Sequence, residues 1–236
     1  MGDPEIPRNN AYPAQPYGLK LCKAAITNDW PAAAAIFHEF PDAIRERITC
    51  WGETALHLAV GSNSSHNFVA QLTKKILKVD PLILGICTES GNNVLHYAAK
   101  AGNLKDAMVM VEEVPTMTLF YNFADQTPLH IAAACGRRKT FEYLLTMTEM
   151  AHLHEFNWSS PFTGMMGLNL VVSVIEAEFY DLALKLLKNY PTLATGEVNG
   201  NSALTTLATK QTRFGYGQFV GRSLKRMIRL MSKNPG

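Results

Sequence analysis

No stretch of this 236-residue chain approaches the roughly 18 to 20 consecutive apolar residues that a membrane-spanning helix needs. The longest candidate, Leu168 to Ile175, is interrupted by Asn169 and Ser173, so no bilayer span is expected. The first ten residues lack the basic and apolar regions of a secretory signal, and Ile6 stands where a myristoylation motif requires Ser or Thr. The expected location is the cytoplasm. Cysteine is sparse: Cys22, Cys50, Cys87 and Cys135 lie far apart with no C-x-x-C pair, which argues against a disulfide frame or zinc site and for reduced, mostly buried thiols. The net charge of +2 is too small to imply a polyanion partner for the whole molecule, and no nucleic acid is expected. A Gly-rich phosphate loop, a nucleophile elbow and an H-E-x-x-H pair are all missing. With no catalytic constellation, the chain reads as a non-enzyme that needs no cofactor, metal or small-molecule substrate.

What is present is a repeat. Thr54-Ala55-Leu56-His57-Leu58-Ala59, Asn93-Val94-Leu95-His96-Tyr97-Ala98 and Thr127-Pro128-Leu129-His130-Ile131-Ala132 are three versions of one helix start. Thr and Asn are preferred N-caps, and Pro128 occupies an early position where a missing N–H costs nothing. The histidines are 39 and 34 residues apart. Extending this ruler places Cys22, Val172 and Thr205 in the same slot of three further units, giving six. Proline supplies a second ruler: Pro41, Pro115 and Pro191 each fall 19 residues after the slot, where they would end the second helix of a pair. Pro81 falls 24 residues after its slot, which locates an insertion near Gly61–Ser65. Unit four lacks the proline, and about eight extra residues are expected as a polar loop around His152 to Pro161.

Within a unit the apolar period is helical. Gly102 and Gly136 stand where left-handed C-caps would end the first helices. Small residues at Ala24-Ala25, Ala59, Ala98-Ala99 and Ala132-Ala133 allow close helix approach, so each unit buries its apolar face against the next.

T-x-L-H-x-A-A at about this spacing, a Gly ending the first helix and a double-leucine second helix resemble the ankyrin repeat, over roughly Gly18 to Thr209. The resemblance implies an all-α ankyrin-repeat solenoid of about six repeats with β-hairpin-like turns. The expected boundaries are a flexible segment at 1–17, the repeats at 18–209, and a basic helix or tail at 210–236. More narrowly, the helix-ending prolines, the opening at 23–30 and the divergent Leu-Val-Val-Ser-Val-Ile fifth unit look like the plant ankyrin-repeat membrane proteins related to the accelerated-cell-death regulators. In that family a transmembrane block follows the repeats, and this chain stops before one. Unit five is read with Asn169-Leu-Val-Val172 in place of the cap motif.

The resemblance implies that the histidines tie one repeat to the next through imidazole–backbone hydrogen bonds. It also implies a protein–protein interaction scaffold in stress or immune signalling, with a partner protein on a concave face. The family's variable positions fall on Cys50, Trp51, Glu53, Gly61 and Ser62, then on Glu89, Ser90, Asn92, Lys100 and Ala101. They continue through Phe123, Ala124, Gln126, Ala134 and Cys135 to Val198, Asn199 and Asn201. Trp51 and Phe123 are the expected anchors, since large rigid side chains bury much area at small entropic cost.

After Glu197 the chain has no further acid. Between Phe219 and Met231, the apolar residues Val220, Leu224, Met227, Ile228 and Met231 share a helical face, and Arg222, Lys225, Arg226 and Arg229 lie between them. Two readings stand: a capping helix over the last repeat, or an amphipathic segment of a peripheral membrane or regulatory domain, touching a transmembrane partner or anionic lipid at the cytosolic face of the plasma membrane, the latter at about 1 kcal/mol per basic residue. Co-sedimentation with anionic vesicles, with and without residues 210–236, separates them. The lipid reading expects binding that is lost on truncation, and equal failure of both forms rejects it.

Overall fold

The computed structural model describes residues 16–62, 66–154, 159–198, 201–214 and 229. The chain divides into two compact units, residues 1–117 and 118–236. The first contains α1 (Gly18–Thr27), α2 (Trp30–Glu39), α3 (Ala55–Gly61), α4 (His66–Val79), α5 (Val94–Ala101) and α6 (Leu104–Glu113). The second contains α7 (Pro128–Ala134), α8 (Arg138–His154), α9 (Gly164–Glu176), α10 (Tyr180–Asn189), a hairpin of β1 (Glu197–Val198) and β2 (Asn201–Ser202), and α11 (Ala203–Phe214). The class is all-α, as expected. Odd-numbered helices are the first helices of six repeats, and even-numbered helices are their second partners. Among the described residues, none of the helices is long and apolar enough to cross a membrane.

In the first unit α1 packs on α3 and α3 on α5, while α4 lies against α6. In the second, α9 packs against both α7 and α11. Alanine makes these approaches possible: Ala25, Ala59, Ala98, Ala99, Ala132 and Ala133 are completely buried. Between the helix pairs, Phe37, Phe68, Leu72, Ile76 and Met110 fill the first core, and Phe141, Leu144, Phe162 and Leu186 fill the second. Each such side chain contributes roughly 1.5 to 3 kcal/mol through burial.

Proline sets where second helices stop. α2, α4, α6 and α10 end two residues before Pro41, Pro81, Pro115 and Pro191, and each proline opens a short 3₁₀ turn. The residue before proline is held out of the helical region; Phe40, Val114 and Tyr190 sit at φ −125°, −138° and −130° with ψ 83°, 80° and 72°. α8 lacks that stop and runs for 17 residues. The expected polar loop is corrected accordingly, because His152 and His154 lie in the last turn of α8 and only 155–158 fall outside the described residues. Gly102 at φ 78° and Gly136 at φ 65° adopt the left-handed conformation expected of them.

The fifth repeat departs from expectation. Its first helix starts at Gly164 after Thr163, five residues upstream of Asn169, and is 13 residues long. Asn169 is an exposed mid-helix residue, not a cap. Gly167 makes the longer helix possible, since a Cβ there would lie 2.6 Å from the Phe162 carbonyl carbon. The cysteine expectation also needs correction: all four thiols are free, but Cys50 and Cys135 are exposed while Cys22 and Cys87 are half-buried.

Histidine joins neighbouring layers inside each unit. The Thr54 N–H donates to His57 Nδ1 at 3.3 Å, and the Thr54 hydroxyl lies 2.9 Å from the same atom. Nδ1 is therefore the acceptor, which leaves Nε2–H to donate to the Asn92 carbonyl at 3.3 Å. In the second unit Thr127 N–H donates to His130 Nδ1 at 3.3 Å, and Nε2 reaches the Met166 carbonyl at 3.0 Å. Burial pulls the His57 imidazole down from 6.5 to about 4 against the opposing pull of the Asn92 carbonyl, and it lowers His130 in the same way. Between pH 6.5 and about 4 the unfolded chain binds a proton at residue 57 that the folded chain refuses, so stability falls with falling pH across that window. The urea midpoint should drop by the equivalent of about 3 kcal/mol from this group alone. His57→Gln should start lower at pH 7.5 and give a flatter profile, and an unchanged pH slope in that variant would refute the buried neutral imidazole.

Candidate functional site

Three turns project ahead of α3, α5 and α7, and they share one construction. Ile48 N–H donates to Glu53 O at 2.7 Å, Thr88 N–H to Asn92 O at 2.9 Å, and Asn122 N–H to Gln126 O at 3.0 Å. Each turn needs one left-handed residue, supplied by Gly52 at φ 77°, Gly91 at φ 78° and Asp125 at φ 56°. Asp tolerates that region better than most side chains. A polar side chain at the turn's start holds it from inside: Thr49 Oγ1 accepts from Glu53 N–H at 3.1 Å, and Thr88 Oγ1 accepts from Asn92 N–H at 3.3 Å. Asn122 Oδ1 accepts from both Ala124 and Gln126 N–H groups, at 3.0 and 2.9 Å. In the first unit the two turns are also joined, with Glu89 N–H donating to the Trp51 carbonyl at 2.9 Å and Arg47 reaching Cys87 O at 2.9 Å.

These turns and the first-helix ends carry the positions expected to bind a partner. Cys50, Trp51, Gly61, Ser62, Glu89, Ser90 and Lys100 are exposed in the first unit, with Glu53, Asn92 and Ala101 half-buried. In the second unit Phe123, Ala124, Ala134 and Cys135 are exposed and Gln126 is half-buried. Val198 pairs with Asn201 across the β1–β2 hairpin. Asn199, Arg222, Lys225 and Arg226 lie outside the described residues, and Arg229 is helical and exposed. Trp51 is 70% exposed and Phe123 81%.

Two carboxylates in this set are engaged within the first unit. Glu53 Oε1 accepts from the Tyr97 hydroxyl and Oε2 from the Thr49 hydroxyl, both at 2.8 Å. Burial, then Glu53, pushes the Tyr97 phenol up. Glu89 faces Arg47 at 3.5 Å, an exposed pair worth little on its own.

The motif reading overlooked the solvent-facing residue one place after each histidine, Leu58, Tyr97 and Ile131, all half-buried. The variable x in Thr-x-Leu-His-x-Ala carries that signal, because its neighbours on both sides are buried. In the first unit the same row continues to Lys23 on α1.

Other ionisable groups are structural. The Asp106 carboxylate is fully buried, 2.5 Å from His66 Nδ1 and 2.5 Å from Asn103 Nδ2, where it closes the start of α6 against α4. Burial pushes its pKa up and His66 opposes this. Arg138 forks onto Asp181 between α8 and α10, which lowers the Asp181 pKa. Among the described residues, no group of three or more His, Cys, Asp or Glu side chains is placed to hold a metal.

A family model for ankyrin repeats in three copies matches residues 67–157. Over 64 residues the chain is 34% identical to the Arabidopsis thaliana protein ACCELERATED CELL DEATH 6; the match covers 27% of this chain and 10% of that protein. Among solved structures, the crystal structure of the yeast ribosomal protein Rps3 in complex with its chaperone Yar1 contains a similar chain. The identity is 18% and the TM-score 0.48, over 55% of this chain and 91% of that one.

Because Asn122 Oδ1 holds two amides of its turn, Asn122→Ala should speed hydrogen exchange at Ala124 and Gln126 by about tenfold or more, at a cost near 1 kcal/mol per bond lost. Amide protection at both sites equal to the parent chain would show that the turn is held by its backbone alone.

Proposed function

We propose that this chain, which carries ankyrin repeats, is a non-catalytic scaffold that binds a partner protein on a concave face formed by its turn tips and first helices. Ankyrin repeats are interaction modules, and extended surfaces are how stacked repeats bind. The observation that carries the reading is the placement of two large aromatics, Trp51 and Phe123, at turn tips with most of their surface in water. Large rigid aromatics held in water at turn tips offer apolar area that a partner could bury, which supports the reading.

The setting proposed is plant stress or immune signalling in the cytoplasm. Its support is the partial similarity to ACCELERATED CELL DEATH 6, together with the helix-ending prolines that the sequence shares with that group.

The test is capture of a partner from the source tissue by the parent chain and by a Trp51→Ala, Phe123→Ala double variant. The double variant should lose most of the captured protein while its thermal melt moves by no more than a few degrees, since exposed substitutions usually stay within about 0.5 kcal/mol. A large drop in melting temperature with capture intact would make both residues packing elements and reject the reading.

A further inference from the structure

The residues ahead of α1 repeat one spacing. Pro4-Glu5-Ile6-Pro7 and Pro13-Ala14-Gln15-Pro16 are both P-x-x-P, the pattern that sets two prolines on one edge of a polyproline II helix, a form favoured before it docks because it needs no internal hydrogen bonds. Residues 1–15 lie outside the described residues, and Pro16 is exposed. The point from which this segment leaves the first unit is fixed. Tyr17 is buried against the Phe40 ring, with centroids 4.7 Å apart. Pro16 stands six residues ahead of Cys22, as Trp51 stands six ahead of His57 in the next repeat. α1 packs on α3, and the Cys22 thiol donates at 3.6 Å to the Ile48 carbonyl, where the Trp51 turn begins. The segment therefore emerges one repeat away from Trp51 and level with it.

The surface beside that exit is apolar and aromatic. A Cβ on Gly61 would lie 2.9 Å from Tyr97 Cδ1, so the Tyr97 ring lies over α3 in space that glycine leaves open. The Tyr97 hydroxyl donates to Glu53 at 2.8 Å, and the ring meets His57 edge-on with centroids 5.1 Å apart. The ring is thus fixed while still half-buried, beside half-buried Leu58 on the same row. Trp51, 70% exposed, stands two residues from Glu53, and Leu19, 86% exposed, extends apolar surface back along α1 to the exit. Hydroxyl donors leave the Glu53 carboxylate its negative charge. In the segment, Arg8 directly follows Pro7.

We propose that residues 4–16 of this chain dock on this shelf, with proline rings against Trp51, Leu58 and Tyr97 and the Arg8 guanidinium facing Glu53. Stiff proline rings suit a fixed aromatic floor because neither side has much freedom left to lose. The reach suffices: Pro4 to Pro16 spans roughly 37 Å at about 3.1 Å per residue, whereas packed helices lie roughly 8 to 10 Å apart. Attachment to the same unit gives an effective concentration on the order of 1 mM. A contact with an intrinsic dissociation constant near 0.1 mM is then about nine-tenths closed. Resting on the concave-face reading, the segment is a built-in competitor that lowers a partner's apparent affinity by about tenfold.

The chain has three tryptophans, so the nitrogen-15-labelled full chain gives three indole N–H signals, and Trp51→Phe identifies the one on the shelf. Combined Pro4→Ser, Pro7→Ser and Pro13→Ser should move that signal, and Arg8→Glu should move it part of the way. A synthetic peptide of residues 1–16, added to the triple-proline variant, should return the signal toward its parent position with half effect at roughly 0.1 to 1 mM. Dilution of the parent chain should leave it in place; movement on dilution makes the occupant a second copy and overturns docking within one chain. A Trp51 signal unmoved by the proline substitutions, or untouched by the peptide, overturns the docking itself. The triple variant should bind the tissue partner about tenfold more tightly than the parent, and equal binding despite a moved indole signal overturns the competing role. The concave-face reading fails separately, if Trp51→Ala with Phe123→Ala leaves capture of that partner intact.

Discussion

The fold depends on a neutral imidazole placed where no water can reach it. His57 accepts from its own helix cap at Nδ1 and donates from Nε2 to the Asn92 carbonyl, so one side chain satisfies a helix start and links two repeats. A charged ring could not do this, because a protonated Nδ1 has no lone pair for the Thr54 N–H. Burial lowers the imidazole pKa, and the neutral ring it favours is the form that serves both partners. His130 repeats the arrangement, but its acceptor differs: Asn92 precedes its helix, whereas Met166 is the third residue inside α9. The one-turn offset lets a helix that starts early still present a carbonyl at the right height.

The repeat was legible because its signals are local and independent. A cap, a histidine three residues on, a left-handed glycine and a terminating proline each act within one helix, so a sequence can be read for them without tertiary information. The same reasoning explains the failures. Where the proline is missing, nothing in the sequence says where α8 stops, and polar His152 and His154 imitated a loop. α9 begins early because Phe162 and Gly167 fit backbone to backbone, a tertiary fact that left Asn169 as a false cap.

The surface was legible only in part. Exposure of Trp51 and Phe123 followed from the turn, which holds its tip residues outward by construction. The engagement of Glu53 did not follow. It depends on a tyrosine 44 residues away that can reach across α3 only because residue 61 is glycine. Variable positions identify what faces outward, but not which of those groups are already used within the chain.

Asn93 shows how closely this design sits to its own limits. It replaces the Thr of the other two caps, and its Oδ1 accepts from both Leu95 and His96 N–H groups, at 3.0 and 3.1 Å. The carboxamide carries a second arm that threonine lacks, and Asn93 Nδ2 is buried with no hydrogen-bond partner. An unsatisfied buried donor costs about 1 to 3 kcal/mol, while a second capped amide returns about 1 kcal/mol. The third repeat is therefore capped more fully at its helix start, and the buried second arm of the carboxamide offsets that gain. Natural repeats tolerate that imbalance, because packing against neighbours, more than any single cap, holds them folded.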